Sequence, residues 1–218
     1  MFKTKIEKIK DKAKIISLKD LKQITQEKDI SNKIGYNKWI TRLKRWLYSL
    51  KDKIHSYEIA NKLYYPSYVS LESVLSVYSI IPDSMGSFMS VTTNTTSSFK
   101  NNFWTFHYFN VKKELYFWYE YIDWYFIAEK EKALLDYFYL KSASLKLTVY
   151  DYKNIDKAKF SSKWCLEAYK WFKEERFENL EIIDFEKLNK YSEKFNKKVF
   201  YMALLLQIYY KMYEQTFV

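Results

Sequence analysis

Apolar residues in the first forty positions recur at helical spacing. They lie three or four residues apart within residues 3–14, again from Leu18 onwards, and once more within residues 28–37. This period predicts three short helices. Ser17 and Asp20 have the spacing typical of a helix N-terminus and are expected to begin the second of them.

The pattern changes over residues 40–50, where apolar and polar residues mix around a basic centre. We interpret this stretch as two short strands with Lys44 and Arg45 at the turn between them. Three helices followed by a β-hairpin is the plan of a winged helix-turn-helix, whose third helix enters the major groove of DNA while the hairpin lies along the backbone or minor groove. We therefore predict a DNA-binding domain over residues 1–52. Its candidate DNA-binding residues are Lys28, Ser31, Asn32, Lys33, Asn37, Lys38, Thr41, Arg42, Lys44 and Arg45.

The rest of the chain, residues 53–218, mixes both periods and predicts a second domain. A linker helix is expected over residues 51–62, and Ser70 is expected to cap the helix that follows it. Stretches rich in Thr, Tyr, Phe and Val over residues 87–127 predict antiparallel strands. Further helices are expected at 70–79, 129–141 and 160–215. The predicted fold class is α+β: a winged helix-turn-helix followed by a mixed domain with a small antiparallel sheet and a helical C-terminal part.

Positive charge is concentrated near the N-terminus. Residues 1–65 hold 17 Lys and Arg against 7 Asp and Glu, so they carry +10 of the formal net charge of +11. A basic module ahead of a nearly neutral body is typical of a nucleic-acid-binding domain. A solvated lysine-rich face, which AT-rich coding DNA produces without any function, is the alternative that charge alone leaves open.

Residues with reactive or metal-binding side chains are few and scattered. Cys165 is the single cysteine, and it has no Cys or His neighbours that would make a metal site. The carboxylates of Glu129, Glu131 and Asp136 are poorly spaced for metal-assisted hydrolysis, so we interpret them as structural. The charged N-terminus is not a signal peptide, and no apolar run is long enough for a membrane helix. We expect a cytoplasmic protein that has no cofactor and is not an enzyme.

Two segments resemble the AbiE-type antitoxins of abortive-infection systems. Residues 64–75 read YYPSYVSLESVL, where that family has Y-x-P-S-Y-x-S-L-E-S-A-L. Residues 127–136 read IAEKEKALLD, where the family has I-A-x-x-E-K-A-L-L-D. Weaker similarity to the family's strands and to its basic hairpin extends the resemblance to about residues 16–141.

The resemblance implies a type IV toxin–antitoxin system for phage defence. The antitoxin of such a system binds an inverted repeat of double-stranded DNA in its own operon promoter as a transcriptional autorepressor. Its functional partner is a nucleotidyltransferase-like toxin, which it counteracts without a stable complex. A winged-helix transcriptional regulator with no toxin partner is the alternative reading of the same residues.

Tryptophan stands at several positions where the family has glycine. These positions, together with one predicted hairpin turn, are Trp39, Trp46, Trp104, Trp118 and Trp124. Only 2 of the 218 residues are glycine, against about 7% in an average protein. We hypothesise that the codons are UGA, read as glycine in the source organism. A lineage that is truly rich in tryptophan is the alternative, and UGG codons would support it.

Overall fold

The computed structural model describes residues 7, 9, 13–26, 40–50, 54–82, 86–101, 104–141 and 163–216. The α+β class is as predicted, with strands in two separate sheets. The helix predicted over residues 28–37 lies outside the described residues. Most of the helix predicted over residues 3–14 does too, although Glu7 and Ile9 are helical.

The described chain begins with a small three-stranded sheet, which we call the head sheet. Its strands are β1 (Ile15–Ser17), β2 (Thr41–Lys44) and β3 (Leu47–Ser49), in the antiparallel order β1-β3-β2. Helix α1 (Leu18–Thr25) follows β1 directly. Its first turn is capped as predicted, because Ser17 Oγ accepts a hydrogen bond from the Asp20 N–H at 3.1 Å. The sequence did not predict β1.

The head, by which we mean the head sheet together with α1, has a small apolar core of its own. Helix α1 buries Leu18 and Leu21 on one side, while Ile16 and Tyr48 come from the facing strands. Among the described residues, the buried members of this core are Ile9, Ile16, Leu18, Leu21, Ile40, Tyr48 and Leu50. Because this core lies between α1 and one face of the head sheet, the other face of that sheet is left for the rest of the molecule.

The second sheet has six strands in the order β6-β7-β5-β4-β9-β8. Its strands are β4 (Ser67–Val69), β5 (Ser87–Thr92), β6 (Ser97–Lys100), β7 (Thr105–Asn110), β8 (Tyr119–Ile122) and β9 (Tyr125–Ala128). The prediction of an antiparallel sheet was only partly correct, since β4–β5, β6–β7 and β8–β9 are antiparallel pairs but the sheet is mixed. Strand β5 runs parallel to β7, and β4 runs parallel to β9, because the pairing of strands depends on contacts that their own sequences do not encode.

Beyond the head, the described residues form six further α-helices. They are α2 (Ser56–Leu63), α3 (Glu72–Leu75), α4 (Lys130–Lys141), α5 (Lys163–Glu174), α6 (Phe185–Ser192) and α7 (Lys197–Thr216). Helices therefore lie within the predicted ranges 129–141 and 160–215. The helix predicted over residues 70–79 is shorter than expected, since α3 has only four residues and is followed by turns.

Helix α2 is not a linker, although the sequence predicted one over residues 51–62. It lies against the six-stranded sheet: the Tyr108 hydroxyl donates to the Ala60 carbonyl at 2.6 Å, and the Asn61 amide donates to the Ser67 carbonyl at 3.2 Å. Leu43 of the head sheet is buried in the same core that α2 enters. The helix therefore packs between the two sheets and joins them.

Ser70 does not cap a helix, which corrects the sequence prediction. Leu71 precedes α3 with φ of 57° and makes no side-chain cap hydrogen bond. The Ser70 hydroxyl instead donates to Asp136 Oδ2 at 2.8 Å, and the Tyr68 hydroxyl donates to the same oxygen at 2.9 Å. Ser70 thus contributes to the packing of β4 on α4.

A fully buried ion pair joins Lys132 and Asp136 on one face of α4. The Lys132 ammonium also donates to the Tyr68 hydroxyl at 2.8 Å and lies 5.1 Å from the ring centroids of Phe117 and Phe195. Burial lowers the pKa of Lys132, while the charge and hydrogen bond of Asp136 oppose that shift. We call Tyr68, Ser70, Lys132 and Asp136 the buried network.

Two of the tryptophans occupy backbone geometry that favours glycine. Asp123 and Trp124 form the two-residue loop between β8 and β9 with φ of 44° and 78°, a hairpin turn in which Asp-Gly is strongly preferred. Trp118 also has a positive φ, of 51°. Trp46 and Trp104 do not, so their backbone does not require glycine. Trp39 lies outside the described residues.

Asp136→Asn is expected to lower the free energy of unfolding by about 3–5 kcal/mol, because it leaves the buried Lys132 ammonium without its counter-charge. Urea denaturation measures the effect. The matched control is Lys112→Met in the exposed Lys112–Glu114 pair, where we expect little change. Equal effects of the two substitutions would contradict the importance of the buried network.

Trp124→Gly is expected to raise the free energy of unfolding by about 1 kcal/mol, because glycine adopts positive φ without steric cost. Trp46→Gly is the control: its φ is not positive, so glycine there relieves no strain. It adds flexibility and removes the ring beside Arg45, and should lower the stability by about 0.5–1 kcal/mol. Thermal unfolding of both variants provides the comparison. Loss of stability in Trp124→Gly as large as in the control would count against a glycine position at 124.

Candidate nucleic-acid interface

The candidate interface is built on the hairpin of strands β2 and β3. Thr41 pairs with Ser49 and Arg42 with Tyr48, but the next pair joins Lys44 to Leu47. One residue, Leu43, is therefore extra on β2, which is the signature of a β-bulge. The turn itself is Arg45 and Trp46, one residue later than the predicted Lys44 and Arg45.

The bulge decides where the side chains of β2 go. Leu43 is 7% exposed and belongs to the large core that includes α2. Lys44 takes the position opposite Leu47, and Leu47 packs against that same core. Arg42 lies opposite Tyr48, which belongs to the small core under α1. Arg42 and Lys44 are therefore directed to different sides of the head sheet.

Arg42 and Arg45 are the two exposed arginines of the hairpin. Within the described part of the chain, neither guanidinium forms an ion pair with a carboxylate. The Arg45 guanidinium lies 4.9 Å from the ring centroid of Trp46, which is itself exposed. A planar guanidinium that no carboxylate engages can bind a phosphate in bidentate fashion.

Lys44 is bound to the rest of the molecule. Its ammonium donates to the Leu63 carbonyl at 3.4 Å and lies 3.9 Å from the ring centroid of Phe99. Thr41, the remaining hairpin candidate, is half-buried. Lys44 is exposed like the two arginines, but its ammonium contacts the body, by which we mean the six-stranded sheet and the helices that follow the head.

The groove contacts predicted for the third helix stay predictions. Lys28, Ser31, Asn32, Lys33, Asn37 and Lys38 all lie outside the described residues.

Helix α1 carries two exposed lysines that were not among the candidates, Lys19 and Lys22. The helix buries Leu18, Leu21 and Thr25 on its inner face. This helical period places the two lysines on its outer face, so the sequence pattern could have identified them.

The carboxylates at the start of α4 are used in packing. Glu129 forms an ion pair with Lys187 at 2.7 Å and raises its pKa through that hydrogen bond. Glu131, 1% exposed, accepts from the Asp184 N–H at 3.1 Å, and Asp136 belongs to the buried network. Among the described residues, no three His, Cys, Asp or Glu side chains are grouped closely enough to hold a metal ion.

Helix α7 (Lys197–Thr216) has 20 residues. Neither it nor any other helix in the described ranges combines the length and apolarity needed to cross a membrane.

Comparison with known proteins identifies no family for this chain. No protein-family model matches the chain, and no curated protein is significantly similar to it.

Proposed function

We propose that this protein is a promoter-binding antitoxin of the abortive-infection type, with a winged-helix head that contacts double-stranded DNA. The observation that carries the DNA-binding part is the pair of exposed arginines, Arg42 and Arg45, on a hairpin within the basic N-terminal third of the chain. Phosphate contacts of this kind supply most of the affinity of a protein for duplex DNA.

The arrangement of the head supports the winged-helix part of the proposal. A short strand leads directly into α1, and a two-stranded hairpin follows later and pairs with that first strand. In a winged helix such a hairpin lies beside the duplex backbone. The turn residue Arg45 and the neighbouring strand residue Arg42 would then reach phosphates on one side of the groove.

The antitoxin part of the proposal depends on the resemblance to the family. Contacts between the two family-like segments support that resemblance. Tyr68 and Ser70, from the first family-like segment, donate to Asp136 from the second. Glu72, also in the first segment, forms an ion pair with Lys141 of α4 at 2.9 Å. Two segments that contact each other in this way constrain each other's sequences, so finding both in one chain supports a shared body fold.

Arg42→Glu and Arg45→Glu are each expected to weaken binding to a duplex from the protein's own upstream region, and to any other duplex alike. Each lost phosphate contact should also reduce the slope of log affinity against log salt by about 0.9. A mobility-shift assay over a potassium chloride series measures both quantities. The control is Lys112→Glu, an exposed body residue for which we expect no change. Unaltered binding by both arginine variants would refute the interface.

Growth rescue tests the antitoxin part separately. A nucleotidyltransferase-like reading frame beside this gene is expected to arrest growth when expressed alone, and co-expression of this chain is expected to restore it. The Arg45→Glu variant should rescue equally well, because the proposal assigns toxin control to the body and not to the hairpin. Specific DNA binding without rescue would favour the alternative, a regulator that has no toxin partner.

A further inference from the structure

Two lysines of the head bind the two ends of helix α2. Lys14, directly before β1, forms an ion pair at 3.0 Å with Glu58, whose side chain is only 6% exposed. Lys44, the last residue of β2, reaches the carbonyl of Leu63, the last residue of α2. The final carbonyls of a helix lack partners within the helix and carry its negative dipole end, so a cation there is stabilising.

The second contact of Lys44 comes from the six-stranded sheet. The ammonium lies 3.9 Å from the ring centroid of Phe99 on β6, within the range of a cation–π interaction. Phe99 is in turn held by the rings of Tyr64 and Tyr108, with centroids 5.6 Å and 5.7 Å away. Lys44 therefore connects the hairpin to a rigid aromatic group of the body.

We propose that Lys44 is a positioning residue, which fixes the β2–β3 hairpin against Leu63 and Phe99, and that DNA phosphates meet Arg42 and Arg45 instead. This inference depends on the proposed DNA binding, and it removes Lys44 from the residues predicted to contact DNA. The physical basis of the inference is that a phosphate would have to compete with the Leu63 carbonyl and the Phe99 ring for the Lys44 ammonium. A Lys44 ammonium that bound a phosphate would give up its carbonyl and its aromatic ring, whereas neither arginine has a carboxylate to give up among the described residues.

The positioning role is measurable without DNA. Lys44→Met and Phe99→Leu are each expected to increase amide hydrogen exchange in β2 and β3 by about threefold to tenfold, as expected for the loss of one partly exposed cation–π contact. The double variant should increase exchange by less than the product of the two single effects, because both substitutions remove the shared Lys44–Phe99 contact. Amides of helix α7, which contacts neither residue, are the internal control and should not change. Unaltered exchange in β2 and β3 of Lys44→Met would overturn the proposal.

The DNA measurement uses the same two variants and a short duplex from the upstream region. Both should lower the affinity to a similar extent while leaving the salt slope as in the unmodified protein, since no phosphate contact is lost. Arg45→Met, in contrast, should reduce that slope by about 0.9. Lys44→Arg keeps the cation and should restore most of the affinity that Lys44→Met loses.

The opposite pattern would refute the inference. If Lys44→Met reduced the salt slope as much as Arg45→Met, and Phe99→Leu bound DNA normally, then Lys44 would be a phosphate ligand. If the unmodified protein bound no duplex at any salt concentration, the proposed function would fail. The exchange experiment would still decide whether Lys44 holds the hairpin on the body.

Discussion

A buried carboxylate persists only where hydrogen-bond donors replace the water it has lost, and Asp136 imposes that requirement on this fold. Its donors are Tyr68 in β4, Ser70 directly after β4, and Lys132 in the preceding turn of its own helix. The aromatic rings beside Lys132 include Phe195, more than sixty residues further along the chain. Satisfying one charge pair therefore requires the centre of the sheet, helix α4 and the C-terminal helices to meet in a single arrangement.

The position of α2 between the two sheets determines which surfaces of the head a partner can reach. One side of α2 packs on the six-stranded sheet, and the head sheet packs against it through Leu43. One face of the head sheet is thus covered by the body and the other by α1. Among the described residues, the accessible part of the head sheet is its rim, where the β-bulge directs Arg42 away from the body and the turn exposes Arg45.

Net charge alone gives an incomplete account of such a surface. Some lysines of the basic N-terminal third make contacts within the protein. Lys14 forms an ion pair with Glu58. Lys44 contacts the Leu63 carbonyl and the Phe99 ring. In the body, Lys132 is wholly internal. A cation that is already paired with a carboxylate, a helix end or an aromatic ring has little to gain from a phosphate. For the proposed DNA binding, the two arginines that have no carboxylate partner among the described residues therefore matter more than the total of +11.

The sequence alone determined the features that depend on neighbouring residues. These are the α+β class, the capped start of α1, the hairpin over residues 41–49 and helix α4, because period, capping and turn chemistry act over a few residues. Tertiary contacts decided the rest. The parallel pairs of the sheet, the burial of α2, the bond of Ser70 to Asp136 and the docking of Lys44 on Phe99 each join residues far apart in the chain. No local pattern encodes such a partner, because its energy exists only once the two segments have packed together.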